Sequence, residues 1–139
     1  MAGSFGDFLE NELLDHIFGC GDRNWSLAGN LWVALSSADP GDDGAGLAEP
    51  TGIGSYARVS TTSSDWNVAA SGSVSNANDI TFPEATASWG TQTHFALMDA
   101  VSGGNMLAHG SLDTSKTIDS GDTAKFTGGT PGDLQVSLT

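Results

Sequence analysis

The chain has few positive charges, one cysteine and no long apolar run. Four Lys or Arg residues stand against 17 Asp or Glu residues among 139, which gives a formal net charge of −13. A chain this acidic should be repelled by a phosphate backbone and by an anionic membrane surface, so we expect neither nucleic acid nor membrane as a partner. Cys20 cannot form an internal disulfide, which favours synthesis in a reducing cytosol.

The familiar signatures of catalytic and metal sites are also missing. The sequence contains no G-x-S-x-G elbow and no P-loop. An EF-hand beginning at Asp39 would have Gly41 at its third position and Pro50 at its twelfth, so a calcium loop is not predicted. His94 and His109 could be cross-strand neighbours, but two histidines without a third ligand do not predict zinc. We therefore predict no catalytic residue, no metal ligand, no cofactor and no enzymatic activity.

One amphipathic helix is predicted over residues 4–18. Ser4 can cap its N-terminus with Asp7 three residues further on, and Gly19 is a natural stop. Its apolar stripe consists of residues four apart, with three more beside them: Phe5, Leu9, Leu13, Ile17, Phe8, Leu14 and Phe18. This stripe either covers the chain's own sheet or docks on a partner subunit.

The rest of the chain predicts about eight short strands separated by turns. The clearest predicted strands are residues 30–36, 56–60, 80–82, 91–100, 106–112, 123–126 and 133–138. This pattern favours a single mainly β domain over residues 1–139, an antiparallel β-sandwich at 30–138 with a jelly roll as the leading candidate. Strand 30–36 is apolar on both faces, so it is expected to be central or half-covered.

The glycine-rich loop at residues 37–55 and the four tryptophans are the other notable features. A loop of this length is uncommon in a compact domain unless it has a role. The tryptophans either fill the core or an interface, or form a carbohydrate-binding face, which would place Trp66 or Trp89 at the surface.

A family resemblance rests on the order of several segments. These are LWVALSSADPGDDGAGLAEP, SYARVS, ANDITFPEATASWGT, THFALMDAVSGGNMLAHGSLD and KFTGGTPGDLQVSL. Over roughly residues 5–138 the chain resembles a family of small tailed-bacteriophage virion proteins, and within it the capsid cement (decoration) type found in a short-tailed Bordetella phage. The resemblance implies a jelly-roll homodimer, made in the host cytoplasm, on the exterior of the capsid.

The function expected from this resemblance is that of a capsid cement protein that bridges neighbouring major capsid protein subunits and stabilises the shell. The alternative is a tail-fibre or receptor- and glycan-binding virion module. Partner contacts are predicted in the helix, the acidic loop and two arginines: Phe5, Phe8, Leu9, Leu13, Asp42, Asp43, Arg23 and Arg58. The two arginines are equally well explained as members of internal ion pairs.

Overall fold

The computed structural model describes residues 2–21, 26–27 and 29–138, and within them one α-helix and nine strands. The helix is α1 (Asp7–Phe18), and a short 3-10 turn spans Ser63–Asp65. The strands are β1 (Ala2–Phe5), β2 (Leu31–Ser36), β3 (Val59–Thr61), β4 (Ser73–Ser75), β5 (Ile80–Thr81), β6 (Gly90–Met98), β7 (Met106–Ile118), β8 (Lys125–Phe126) and β9 (Gln135–Ser137). No helix in this part of the chain is long and apolar enough to cross a membrane.

The strands form a curled seven-stranded sheet, in the order β3-β2-β6-β7-β1-β9-β4, and a two-stranded sheet of β5 and β8. The predicted mainly β sandwich with one N-terminal helix is confirmed. β6 pairs with β7, β5 with β8, and β4 with β9, all antiparallel. Such nested pairs are how a jelly roll is wound. One pairing is parallel, that of β1 with β9, and β1 lies outside the sandwich predicted at 30–138.

The N-terminal prediction needs a second correction. Ser4 does not cap a helix but lies in β1, opposite His109 of β7. The helix begins at Asp7 after an extended Gly6, and no side chain caps it. The Asp7 N–H instead donates to the Asp42 carbonyl at 2.9 Å. The predicted stop is confirmed, because Gly19 adopts a left-handed conformation at φ 74°.

β1 fits into the sheet because two glycines face each other. A Cβ on Gly3 would lie 2.4 Å from the His109 carbonyl oxygen, and one on Gly110 would lie 2.7 Å from the Gly3 Cα. The Phe95 ring fills the same space, and a Cβ on Gly110 would lie 2.8 Å from one of its carbons. Any side chain at either position would therefore push β1 away from β7. β1 is thus an internal strand of the sheet, and the helix that follows it is joined directly to the fold.

Both faces of β2 are covered, as its apolar pattern predicts. One face joins the main core, which consists of Val33, Leu35, Ile80, Phe82, Ala85, Trp89, Phe95, Leu97, Ala108, Ile118, Phe126, Leu134 and Val136. The other face contributes Ala34 to a smaller cluster with Ala96, Met98 and Met106. Trp32 and Leu47 pack against this second cluster. Leu47 belongs to the long loop, so the loop covers apolar surface that would otherwise be exposed.

The long loop is held by hydrogen bonds to Ser36, the residue that precedes it. The Ser36 hydroxyl donates to the Ala38 carbonyl at 2.7 Å and accepts from the Ala48 N–H at 3.0 Å. Gly46 lies so close to the Asp39 carbonyl that a Cβ there would be 2.2 Å from its oxygen. The loop is thus an ordered part of the fold.

We predict that Gly110→Ala destabilises the protein by about 1–3 kcal/mol, because the added methyl overpacks the crossing of β1 and β7. The free energy of unfolding is measured by urea denaturation. Ser111→Ala, at the exposed next position of β7, serves as the control and should change stability by less than about 0.5 kcal/mol. Equal stability of the two variants would show that the glycine contact is not needed.

Candidate interaction surface

Helix α1 buries none of its residues and exposes large apolar side chains. Leu14, Ile17 and Phe18 are 51%, 70% and 75% exposed. Asp7 and Glu10 are exposed as well, and positions 7, 10, 14, 17 and 18 recur at helical spacing, so they share one face. We call Leu14, Ile17 and Phe18 with Asp7 and Glu10 the outer face of α1. Its half nearer the N-terminus is acidic, and its C-terminal half is apolar.

Four of the predicted contact residues meet in one shallow cleft beside the helix. Phe8, Asp42, Asp43 and Arg58 line a space of about 230 Å³, together with Leu47, Met98, Met106 and the turn at 103–105. Asp42 and Asp43 are exposed, whereas Phe8 is half-buried. The structure thus brings the start of the helix and the acidic loop together.

Arg58 is an internal residue, which settles the choice left open above. Its Nη2 lies 2.7 Å from Glu49 Oε2, with the two side chains 6% and 10% exposed. Its Nη1 donates to the carbonyls of Ala100 and Gly103 at 2.7 and 2.8 Å. The Tyr56 hydroxyl also donates to Glu49, and burial is the main reason that the pKa of Tyr56 lies above its usual range. The guanidinium therefore fastens the long loop to the β6–β7 turn, and its expected role as a partner contact is wrong.

The other predicted contact residues differ in their surroundings. Phe5 lies in β1 and packs against the main core, so it is not a free anchor. Leu9 and Leu13 are half-buried on α1. Arg23 lies outside the described residues. The better anchors are Leu14, Ile17 and Phe18. Ile17 belongs to the predicted stripe of residues four apart, and Leu14 and Phe18 lie beside it, but none of the three is among the predicted contact residues. Their exposure was not predictable, because the same periodicity suits a helix that turns them inward.

The two histidines are neighbours across β6 and β7, and both face the acidic loop. His109 Nε2 lies 2.9 Å from Asp42 Oδ1, and His94 Nε2 lies 4.0 Å from Asp39 Oδ1. The pKa of Asp39 is lowered, chiefly by the Gly41 N–H that donates to it. Among the residues that the structure describes, no group of three or more His, Cys, Asp or Glu side chains could hold a metal ion. The histidines tie the loop, and through Asp42 the start of α1, to the sheet.

The tryptophans within the described ranges do not form an aromatic platform. Trp89 is 4% exposed and donates its indole N–H to the Gly54 carbonyl at 2.9 Å. Its ring meets Tyr56 edge to face at a centroid distance of 5.2 Å. Trp66 packs against the core and donates to Thr61 Oγ1. A carbohydrate face built on Trp66 or Trp89 is therefore wrong, and the alternative that they fill the core holds.

These features define a small, acidic β-sandwich that carries an outlying helix with an apolar outer face. The family model for podophage GP4 fiber I protein gp80 matches residues 4–136, and the chain belongs to this family. A search of curated proteins found no match. The protein is thus a virion protein of short-tailed phages, as the resemblance implies. The family is one of fibre proteins, which favours the fibre alternative and does not support the narrower cement resemblance.

We predict that Glu49→Gln destabilises the protein by roughly 3 kcal/mol, because it leaves the Arg58 guanidinium buried without a counter-charge. Lys125→Met is the control, since the Lys125–Asp79 pair is 45% and 50% exposed and should contribute only about 0–1 kcal/mol. Urea denaturation measures both. Similar stabilities of the two variants would contradict the internal role given to Arg58.

Proposed function

We propose that this protein is a structural, non-enzymatic subunit of a podophage fibre, which docks on a neighbouring virion protein through the outer face of α1. The observation that carries the proposal is the exposure of Leu14, Ile17 and Phe18 on a helix that buries none of its own residues. The family match supports a fibre location. Of the two histidines in the described strands of the sheet, His109 is hydrogen-bonded to Asp42 and His94 to Thr93.

The energetics favour a bound state for this helix. A 12-residue helix is marginal on its own, so its stability depends on what it packs against. Burial of a Leu, Ile or Phe side chain contributes about 1.5–3 kcal/mol. Three such side chains, exposed together, are a compact anchor of the kind that dominates binding energy in helix-in-groove complexes.

The negative charge on and beside α1 indicates which kind of partner surface it can bind. α1 carries Asp7, Glu10, Glu12 and Asp15, and the loop beside it adds Asp42 and Asp43, in a chain whose net charge is −13. We infer a partner with an apolar groove and a basic rim, because such a rim complements the acidic half of the outer face. A second copy of this chain is the other candidate occupant, consistent with the homodimer that the resemblance implies.

The exterior of the capsid is a second candidate for the place in the virion where the protein docks. On the exterior of the capsid, the same outer face would seat on the major capsid protein, and the protein would act as a cement. The family match favours the fibre, so we propose that location first. In either place, many symmetry-related copies would add avidity to a modest contact.

We predict that the double substitution Ile17→Ser and Phe18→Ser lowers docking affinity about 100-fold, because both side chains leave an apolar contact. Virions assembled with variant protein are quantified for its content, and gold-labelled antibody locates the wild-type protein. Val68→Ser is the matched control, since Val68 is 93% exposed and is not part of α1. The proposal is supported if the gold label lies on fibres and if the double variant alone is lost from the virions. Label on heads supports the cement alternative, and unchanged occupancy contradicts docking through α1.

Salt distinguishes the two occupants. A contact with a basic rim should weaken as NaCl rises from about 0.05 M to about 0.5 M, because screening removes the attraction. Association of two acidic copies should strengthen over the same range, because screening removes repulsion. Release of the protein from washed virions measures the contact with a basic partner. Sedimentation velocity of the purified protein measures self-association. If the protein forms dimers that strengthen with salt, and the Ile17→Ser and Phe18→Ser variant does not form them, then a second copy of this chain, and not a basic partner, occupies the outer face.

A further inference from the structure

The edge of β7 that pairs with β1 is covered along only part of its length. β1 pairs with β7 in a register that sets Ser4 opposite His109. In this register Ala2, the first residue of β1, lies opposite Ser111. β7 continues beyond that point, and in the described part of the chain its sheet neighbours are β6 and β1. Residues 112–118 therefore have no strand on the edge that β1 covers for the residues before them.

A cleft of about 550 Å³ lies beside this part of β7. Its lining includes the consecutive residues Lys116, Thr117 and Ile118, and residues 122–126 form the opposite wall. Successive side chains of a strand point to opposite faces, so a cleft lined by three in a row lies beside the edge of the strand and not on one face. β6 occupies the other edge of these three residues. The cleft thus follows the uncovered edge of β7 and separates it from β8.

The opposite wall also has an open strand edge. β8 pairs with β5, its sheet neighbour in the described residues, and this pairing sets Lys125 opposite Thr81. The Phe82 N–H donates to the Ala124 carbonyl at 2.9 Å, so these two residues form a hydrogen-bonded pair. Such pairs alternate along an antiparallel ladder with pairs that are not bonded, so the N–H and C=O of Lys125 point away from β5. An open edge of this kind is a template for pairing with another chain.

The floor of the cleft is apolar and its rim is acidic. The apolar lining comes from four residues of the main core: Leu35, Phe82, Ile118 and Phe126. Asp113, Asp122 and Asp133 are exposed at the rim with two lysines, and one of these, Lys125, is paired with Asp79 at 3.1 Å. An extended segment in the cleft would set every second side chain on the floor and the others towards the rim. The best match is therefore a segment in which apolar and basic residues alternate.

We propose that this cleft accepts an extended segment of another virion protein as an added strand, in line with β1 and antiparallel to β7. Main-chain hydrogen bonds to the open edges supply affinity, and the floor and rim select the side chains. Residues 112–118 are about 20 Å long when extended, which suits a segment of about six residues.

A second copy of this chain does not supply such a segment. None of its four Lys and Arg residues lies within six positions of another, so no stretch of the sequence alternates apolar and basic residues. None of the residues that line the cleft belongs to α1. Strand addition here therefore goes beyond the docking role and does not depend on it.

The test is titration of the isotope-labelled full chain with the capped heptapeptide Lys-Val-Lys-Val-Lys-Val-Lys, followed by amide chemical shifts and hydrogen exchange. We expect shifts in residues 112–118 and 122–126, and exchange of the Lys125 N–H about tenfold slower, because this N–H gains an acceptor. The same peptide with proline at its central position keeps the charge but pairs poorly as a strand, so it should bind about tenfold more weakly.

Three results would overturn the proposal. One is that about 1 mM of the first peptide leaves these resonances unchanged. Another is that the two peptides bind equally well, because adhesion by charge alone would explain that. The third is that the same resonances shift with protein concentration in the absence of peptide, which would assign the cleft to a second copy.

Two substitutions at one position test the main-chain contact itself. Lys125→Pro removes an N–H that faces the cleft and makes no bond to β5, so it should weaken binding of the first peptide about tenfold. Lys125→Met is the matched control, because it loses the same charge but keeps the N–H, and it should bind at least as tightly as wild type. Equal affinity of these two variants would contradict strand addition.

A further variant keeps the proposal testable if Lys125→Pro does not fold. Asp122→Asn keeps an acceptor for the Asp119 N–H but removes a rim charge, so it should weaken binding of the basic peptide about threefold. Unchanged affinity of this variant would show that the rim does not select the partner. The Ile17→Ser and Phe18→Ser variant should still bind the peptide, so failure of docking and failure of the cleft are distinguishable.

Discussion

The close approach of β1 to β7 is the constraint on which the rest of the structure depends. It requires glycine on both strands, because the His109 carbonyl and the Phe95 ring occupy the space that a Cβ at Gly3 or Gly110 would need. Through this contact β1 joins the strands of the central sheet to β9 and β4. α1 follows one residue after β1, so the position of its apolar outer face is set by the same crossing.

The long loop shows how a glycine-rich segment becomes rigid without regular structure. Glu49, Tyr56 and Arg58 form a buried hydrogen-bonded group at its C-terminal end, and the Ser36 hydroxyl accepts from the Ala48 N–H within the loop. His109 holds its acidic tip through Asp42, whose carbonyl also receives the first N–H of α1. The loop therefore covers the second apolar cluster and also orients the helix. This acidic and exposed loop therefore has a structural role in the fold.

Local patterns predicted most of the regular elements, and non-local contacts account for the errors. The alternation in β2 and the glycine stop of α1 depend on neighbouring residues, so both predictions agree with the structure. The tetrapeptide Ala2–Phe5 has no strand pattern, and its two partners lie more than 100 residues away. The same holds for the site. The sequence analysis placed partner contacts in both the helix of Phe8 and the loop of Asp42. The burial of Arg58, in contrast, depends on backbone carbonyls of the β6–β7 turn, which lie far away in sequence.

The parallel pairing of β1 with β9 has a consequence for synthesis. β1 needs a neighbour whose residues, Gln135 and Val136, lie 133 positions further along the chain than their partners Ala2 and Gly3. At ~5–20 residues per second, β1 waits about ten seconds before its second edge is covered. The sheet that carries α1 is therefore completed only after β9 has been synthesised. Chains that stop before β9 would not present the helix in its final setting.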